Sequence, residues 1–221
     1  MVINAVGIIK QLPSSKDIKQ SLLINSIFPH NLAELTRKYE LRLITVSTDC
    51  VFSGKKGNYN EEDIPDATDV YGKSKNLGEV VSENCLTLRT SIIGREIFTR
   101  NSLVEWFLSN NDKTVKGYKN AVFSGFPTII LADIFADLIL NHEKLQGLYH
   151  LSSEPINKFD LLSLLKGAFG VEVEIEPFQD FYIDRSLDSS KFRQSTGFLP
   201  LKWTEMIQIM AEDQTAYQTK S

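Results

Sequence analysis

The chain has 221 residues, of which 42% are hydrophobic and 24% charged, a composition typical of a globular protein and unlike that of a disordered or fibrous one. Its net charge is −4 and its lysines and arginines are dispersed, so we expect no nucleic-acid partner. The two cysteines, Cys50 and Cys85, lack metal-ligand spacing and are too few for a disulfide framework, which indicates a reducing cytoplasm and no metal. The amino terminus does not resemble a signal peptide, and the most apolar stretch carries Asp133 and Asp137, so we expect no membrane span.

Short apolar runs alternate with longer segments of helical period, a pattern that predicts an α/β fold with a parallel sheet. We predict strands at 1–6, 41–46, 86–89, 147–151 and 171–175. We predict helices at 21–39 with a disturbance at Pro29, at 70–84, at 102–109, at 129–140, at 159–169, and after Thr204.

A polar loop from 47 to 68 separates the second strand from the next helix. A loop of that length without regular structure is uncommon and usually functional. Asp69 stands where it can cap the helix that follows, and Asn157 with Asp160 three residues later predicts the start of another.

Three polar residues follow the second strand, and two more lie on the helix after the loop. Ser47, Thr48 and Asp49 fall at the carboxyl end of the strand, where open parallel sheets bind ligands. Tyr71 and Lys75 stand four apart, so a helix presents them on one face. The sequence therefore predicts that hydroxyl, phenol and ammonium groups converge on one crevice.

These side chains suit the reduction of a carbonyl. A free tyrosine has a pKa near 10, and we expect the charge of Lys75 to favour the phenolate of Tyr71. The hydroxyl of Thr48 can hold a carbonyl while Tyr71 delivers a proton to its oxygen and a hydride arrives from a nicotinamide cofactor. An isolated tyrosine–lysine pair at this spacing is more often a solvated pair on a helix.

The combination of STDCVFSG at 47–54, the long loop and YGKSKNLGE at 71–79 resembles the extended short-chain dehydrogenase/reductases. Within them it is similar to the dTDP-4-dehydrorhamnose reductase branch of sugar-nucleotide reductases. The resemblance covers most of the chain, through VINAVG at 2–7, INSIFPHNLAEL at 24–35, LRTSIIG at 88–94, GLYHLSS at 147–153 and DRSLDSSKF at 184–192.

The resemblance implies a role for particular residues. Thr48, Tyr71 and Lys75 would be the catalytic trio, and Lys75 would also hydrogen-bond the nicotinamide ribose. The cofactor would be NADP or NAD, held by Asn4, Ala5, Val6, Ser47, Tyr71, Lys75 and Ser91. A nucleotide-sugar substrate would meet Asp49, Cys50, Arg89 and Arg185, although either arginine could instead form a structural ion pair.

The chain also departs from the family pattern. None of its glycines forms the G-x-x-G-x-x-G turn that holds a cofactor pyrophosphate, and Met1 precedes what the family uses as its fourth strand. Roughly 60 residues, or two βα units, would then be absent, so we expect an amino-terminally truncated Rossmann-like sheet that binds a dinucleotide weakly. Its open apolar edge would favour self-association or a homo-oligomer. Cys50 and Ile92 replace a tyrosine and a tryptophan of the rhamnose-pathway reductases, which leaves the identity of the sugar open.

We expect a partial Rossmann-like core with flanking helices at 1–95 and a small α/β substrate-binding portion at 96–221, interleaved with the last core elements. The expected function is NAD(P)H-dependent reduction of a nucleotide-linked keto-deoxy sugar. One alternative is a non-catalytic regulatory member or inactive fragment of the same family. The other is a sugar-nucleotide epimerase or dehydratase, which would need further acid–base residues that the sequence does not identify.

Overall fold

The computed structural model describes residues 1–97, 100 and 102–215. The strands are β1 (Val2–Asn4), β2 (Leu43–Thr48), β3 (Cys85–Thr90), β4 (Ile92–Ile93), β5 (Thr114–Tyr118), β6 (Ala121–Phe123), β7 (Phe126–Pro127), β8 (Gly147–His150), β9 (Ile156–Asn157), β10 (Glu174–Phe178) and β11 (Ile183–Asp184). The α-helices are α1 (Ile18–Ser21), α2 (Phe28–Lys38), α3 (Val70–Leu77), α4 (Leu103–Leu108), α5 (Thr128–Leu140), α6 (Lys158–Phe169), α7 (Ser190–Thr196) and α8 (Trp203–Glu212). The predicted carboxy-terminal portion includes 98, 99, 101 and 216–221, which lie outside the described residues.

The main sheet consists of four parallel strands in the order β1-β2-β3-β8, which confirms the predicted fold class. Every residue of β3 is buried, and so are five of the six in β2, because helices cover both faces of the sheet. One face packs on a small cluster that includes Ala33 and Val80. The other face, through Ile44 and Leu88, packs on the main core.

The main core is shared between the two predicted portions of the chain. Ile44 and Leu88 of the sheet belong to the same buried cluster as Leu161 on α6, Phe192 on α7 and Met206 on α8. The sheet and the carboxy-terminal helices are therefore packed as one body.

The chain beyond β3 adds three small sheets, in which β5 pairs with β10, β6 lies between β11 and β9, and β4 pairs with β7. The sequence analysis predicted only one of these strands, at 171–175, and the structure places it at Glu174–Phe178. Val173, inside the predicted range, is instead buried in the main core ahead of the strand. Among the described residues, no helix is long and apolar enough to cross a membrane.

The helix predicted at 21–39 begins earlier and contains a wide turn. Helical structure runs from Ile18 to Lys38, and the segment Leu22–Ile27 between α1 and α2 is π-helical. Pro29 has no N–H and cannot donate to the carbonyl of Asn25, which accounts for the predicted disturbance. That carbonyl faces Gly78, where an added Cβ would collide with it.

The helix predicted at 70–84 ends at Leu77, so the prediction of helical structure at 78–84 was wrong. The close approach of Gly78 to the backbone of Asn25 turns the chain away from the helical path. Beyond it, Val80 is buried in the small cluster, and its carbonyl accepts a 2.6 Å hydrogen bond from the hydroxyl of Thr87. Tertiary contacts therefore override the helical spacing of this segment.

Candidate active site

A cavity of about 380 Å³ opens at the carboxyl ends of β1, β2 and β3. Nine residues that the sequence analysis assigned to catalysis, cofactor or substrate line it: Ala5, Val6, Ser47, Thr48, Asp49, Cys50, Tyr71, Lys75 and Ser91. The parallel pairing of the strands brings these separate segments of the chain to one edge of the sheet.

Thr48 stands at the junction between β2 and a short 3₁₀ turn, Asp49–Val51. Its hydroxyl oxygen accepts a hydrogen bond from the backbone N–H of Cys50 at 3.1 Å and donates to the carboxylate of Asp49 at 3.2 Å. These two hydrogen bonds fix the Thr48 hydroxyl at the carboxyl end of β2. Asp49 is itself buried, and burial raises the pKa of its carboxyl, opposed by the charges of Arg185 and Lys158.

Helix α3 carries the tyrosine and the lysine, and its first turn is held in place at two points. The Asp69 carboxylate caps the helix by accepting a 2.9 Å hydrogen bond from the N–H of Gly72, as predicted. A Cβ at Gly72 would collide with the carbonyl of Cys50 and the side chain of Ala67. The absence of a side chain at Gly72 therefore lets the helix approach the end of β2 and sets the position of Tyr71.

The electrostatics of Tyr71 differ from the expectation. Its pKa is raised above the usual value of 10.0, first by burial and further by the carboxylates of Asp49 and Asp69, while a hydrogen bond with Thr48 acts in the opposite direction. Lys75 donates to the carbonyl of Val46 at 2.8 Å, and burial lowers the pKa of this lysine. Burial therefore favours the neutral phenol of Tyr71, which is a proton donor rather than a phenolate.

The segment 5–11 forms the wall of the cavity above β1. Asn25 holds this wall, since its amide oxygen accepts from the N–H of Ile8 at 2.8 Å and its amide nitrogen donates to the carbonyl of Ile8 at 3.1 Å and to Ser74 at 3.1 Å. Asn4, predicted to contact the cofactor, lies behind the wall and accepts from the N–H of Val6 at 3.2 Å. Its side chain shapes the turn and does not line the cavity.

Arg89, predicted as a substrate contact, is buried away from the cavity. Its guanidinium makes a bidentate pair with Glu79, at 2.8 Å from Nε and 2.7 Å from Nη2, and both side chains are less than a tenth exposed. Ser47 donates to the same carboxylate at 2.6 Å. The structure thus places Arg89 in the structural ion pair that the sequence analysis left open, because its strand position directs it to the face opposite Thr90.

The same network reaches His150, whose tautomer follows from its neighbours. Arg89 Nη1 can only donate, so His150 Nε2 accepts at 3.1 Å and the proton resides on Nδ1, which donates to the carbonyl of Tyr59 at 2.9 Å. Burial and the charge of Arg89 lower the pKa of His150 to about 4. His150 is therefore a neutral member of the core network and no acid–base group of the cavity.

The long loop after β2 is well fixed despite its lack of regular elements. Phe52 and Tyr59 stack with ring centroids 4.1 Å apart, and Val51 and Leu187 complete their buried cluster. The Tyr59 hydroxyl accepts from the N–H groups of Gly54 and Lys56 at 3.2 and 3.0 Å. The loop thereby joins the sheet to the segment around Leu187.

Arg185 and Cys50 were both predicted to contact the substrate, and the structure places only Cys50 on the cavity wall. Arg185 donates from Nε to the carbonyl of Phe52 at 2.9 Å, and its charge interacts with Asp49 although its side chain does not line the cavity. Burial, with the charge of Asp49 second, raises the pKa of the Cys50 thiol to about 12. Cys50 is thus a neutral thiol on the cavity wall, and a poor nucleophile.

Sequence reasoning missed Thr90 as a cavity residue. Thr90 lies beside Thr48 in the β2–β3 register and lines the cavity, and its buried hydroxyl has no hydrogen-bond partner among the residues described. The signal was present in the sequence, since Thr90 ends β3 as Thr48 ends β2. An unpartnered buried hydroxyl is costly, so its natural partner is a ligand in the cavity.

The cavity suits the nicotinamide end of a dinucleotide better than the pyrophosphate. The hydroxyl of Thr90, the ammonium of Lys75 and the backbone of 5–11 offer donors, and the hydroxyl oxygens of Ser47 and Thr48 offer acceptors, around an otherwise apolar wall. Within the described part of the chain, no glycine-rich turn precedes a helix at this cavity. The donor set therefore fits a ring with a carboxamide and a ribose, with a carbonyl compound beside Thr48 and Tyr71.

Comparisons with known proteins agree with this geometry. The family model described as the RmlD substrate binding domain matches residues 2–215. A dTDP-4-dehydrorhamnose reductase of Aggregatibacter actinomycetemcomitans is 28% identical over 165 residues, which cover 70% of this chain and 56% of that protein. The chain thus spans little more than half the length of this curated relative.

Solved structures share the fold over almost the whole chain. A hypothetical dTDP-4-dehydrorhamnose reductase from Sulfolobus tokodaii has a TM-score of 0.78 and 28% identity, covering 92% of this chain and 77% of that one. A dTDP-4-dehydrorhamnose reductase from Bacillus anthracis in complex with NADP has a TM-score of 0.81 at 22% identity, covering 94% of this chain and 78% of that one. With a family model matching nearly every residue and the same architecture in these structures, the chain belongs to the RmlD substrate-binding domain family.

Proposed function

We propose that this chain supplies the catalytic residues for the NAD(P)H-dependent reduction of a nucleotide-linked keto-deoxy sugar. The observation that carries the proposal is the convergence of Thr48, Tyr71 and Lys75 on one cavity at the carboxyl end of the sheet. Membership of the RmlD family and similarity to a dTDP-4-dehydrorhamnose reductase support the class of substrate.

Each member of the trio has a distinct task in this proposal. Thr48, fixed by the N–H of Cys50, donates to the sugar carbonyl in place of Asp49. Tyr71, kept neutral by burial, delivers its proton to the carbonyl oxygen as negative charge develops there. Lys75, anchored on Val46, stabilises the phenolate that Tyr71 becomes after giving up the proton.

Ala5, Val6, Ser47, Lys75, Thr90 and Ser91 would hold the cofactor at the cavity wall. When bound, the nicotinamide supplies the hydride. Support for the cofactor class comes from the Bacillus anthracis structure of the same fold, which contains NADP. The residues of the chain supply the proton and orient the carbonyl.

The test combines binding and turnover. Calorimetric titration of the purified chain with NADPH and NADH measures cofactor binding, and the absorbance of NAD(P)H measures turnover with a dTDP-linked 4-keto sugar. Tyr71→Phe should keep cofactor binding but lower kcat by at least roughly 100-fold, since it removes the general acid. Tyr39→Phe, at an exposed tyrosine far from the cavity, is the matched control.

Two outcomes would contradict the proposal. Turnover that survives in Tyr71→Phe would show that the phenol is not the acid. The non-catalytic alternative would be favoured if the wild-type chain binds neither nucleotide and turns over no substrate, and if the Tyr71→Phe variant retains the biological role of the wild type.

We also propose a cytoplasmic location and self-association through the edge of β1. Among the described residues, β1 pairs only with β2; Ile3 on this strand is 44% exposed, and Met1 just before it is 47% exposed. An open apolar strand edge favours pairing with another strand. Sedimentation of the purified chain as a monomer at all concentrations would contradict this proposal.

A further inference from the structure

Two buried hydroxyls in the described part of the chain have no hydrogen-bond partner, those of Thr45 on β2 and Thr90 on β3. Both side chains are 2% exposed. Thr90 lines the candidate cavity, whereas Thr45 does not. Thr45 therefore provides an internal reference for an unpartnered hydroxyl that lies away from the cavity.

The strands place Thr90 and Thr48 on the same face of the sheet. Side chains alternate along a strand, so Thr90 shares a face with Leu88, and Thr48 shares a face with Ile44. Leu88 and Ile44 both pack in the main core, and the register between β2 and β3 sets Thr48 directly beside Thr90. Because neighbouring strands are about 4.8 Å apart, the two threonines belong to one small part of the cavity wall.

The two threonines differ in the hydrogen bonds that their hydroxyls make. The Thr48 hydroxyl accepts from the N–H of Cys50 and donates its proton to the carboxylate of Asp49. The Thr90 hydroxyl makes neither kind of hydrogen bond within the described residues. Leaving such a group buried and unpaired is costly, and a ligand group that donates or accepts there removes the cost.

The carboxamide of a nicotinamide meets this requirement, since its oxygen accepts and its nitrogen donates. In the proposed function the carbonyl compound lies beside Thr48 and Tyr71, and the hydride comes from a carbon of the nicotinamide ring. The carboxamide is attached to the next carbon of that ring, which brings it within reach of a hydroxyl that neighbours Thr48. Thr90 is thus placed to hold the ring by its polar substituent.

We propose that the Thr90 hydroxyl binds the carboxamide of the nicotinamide and so sets the orientation of the ring against the carbonyl at Thr48. This inference rests on the proposed function, because it assumes that a nicotinamide cofactor occupies the cavity. It gives Thr90 a task distinct from those of Thr48 and Tyr71, which act on the carbonyl oxygen.

Calorimetry with two matched pairs of ligands isolates the contacts of the nicotinamide. NADPH is compared with 2′-phospho-ADP-ribose, and NADH with ADP-ribose, because the members of each pair differ by the nicotinamide. Thr90→Val keeps the shape of the side chain without its hydroxyl, and it should reduce the affinity ratio within a pair roughly 5-fold while the ADP-ribose affinities stay unchanged. Thr90→Ser keeps a hydroxyl and should retain most of the ratio.

Thr45→Val is the matched control, since it removes the other unpartnered hydroxyl at the same burial but away from the cavity. It should leave all of these affinities unchanged. In urea unfolding without ligand, neither valine variant should be less stable than the wild type, because neither hydroxyl has a partner to lose.

An unchanged affinity ratio in Thr90→Val would overturn the inference, because the hydroxyl would then make no contact with the nicotinamide. An equal loss for both members of a pair would overturn it as well, since the effect would lie elsewhere on the ligand. A Thr90→Val variant that is less stable than Thr45→Val in urea would show that the Thr90 hydroxyl has a partner inside the protein, against the inference.

The same titrations separate this inference from the proposed function. A wild type that binds neither dinucleotide and turns over no substrate refutes both together. Wild-type binding and turnover with an unchanged affinity ratio in Thr90→Val refute only the role of Thr90.

Discussion

Replacing His150 with glutamine tests the buried network that fixes the long loop against the sheet. His150 is fully buried, accepts from Arg89 and donates to the carbonyl of Tyr59. Protonation of Nε2 would give His150 a second N–H donor that faces the guanidinium of Arg89, and two cations would then be in contact. The folded protein therefore resists protonation of His150, whereas the unfolded chain accepts the proton near the ordinary pKa of 6.5.

The magnitude follows from the difference between the two pKa values. The folded value is about 4 against 6.5, and each unit is worth about 1.4 kcal/mol, so His150 makes a pH-dependent contribution of about 3 kcal/mol. Because the folded pKa is the lower one, this stability is complete above pH 6.5 and falls as the pH decreases from 6.5 to 4. Below the folded pKa no further loss arises from this group.

Urea unfolding followed by circular dichroism, at pH values from 8 to 4.5, measures the effect. Wild type should lose stability over this range more steeply than His150→Gln, in which the titrating ring is absent, while carboxyl groups common to both cancel in the difference. Parallel loss of stability in the two proteins would refute the reasoning, because it would mean that the buried imidazole carries no linked proton.

Three further outcomes follow from the packing around the site. Gly72→Ala should lower kcat, and should lower the free energy of unfolding by roughly 1–3 kcal/mol, because the added Cβ collides with the Cys50 carbonyl. The control Gly167→Ala, which has open space around it in α6, should raise the free energy of unfolding by about 0.5–1 kcal/mol. Equal effects of the two substitutions in urea unfolding would contradict the close approach of Gly72 to Cys50. Arg89→Met should lower the free energy of unfolding by about 3–5 kcal/mol, because it leaves the Glu79 carboxylate buried without its ion-pair partner. Adding Glu79→Leu should recover much of this stability. A double variant as unstable as Arg89→Met alone would argue against the ion pair. Cys50, with its pKa raised to about 12, should resist iodoacetamide at pH 8 as followed by mass spectrometry, and rapid alkylation would show that the thiolate forms.

The parts of the fold that local pattern determines were predictable. The strands β2 (LITVST) and β3 (CLTLRT) are short segments rich in apolar and β-branched residues, and both helix caps, Asp69 and Asn157, have the predicted hydrogen bonds. The trio of Thr48, Tyr71 and Lys75 was identified because strand end, long loop and helix spacing all point to one crevice. These signals all lie in one continuous segment of the chain, from 41 to 75.

The parts that depend on distant contacts were not predictable. The end of α3 depends on the backbone of Asn25, far back in the chain, and β5 finds its partner β10 some 60 residues later. The sequence left the role of Arg89 open because the partner that decides it, Glu79, lay in a segment predicted to be helical.

The path of the chain also bears on how the site opens. The backbone leaves the parallel sheet after β3, returns to it as β8 and leaves it again, so the sheet and the carboxy-terminal portion are joined at three places as well as through a continuous core. A hinge motion would have to bend all three connections at once and shear that core. The width of the cleft is therefore built into the fold, and we expect ligand binding to leave the sheet and the carboxy-terminal portion in the same relative position.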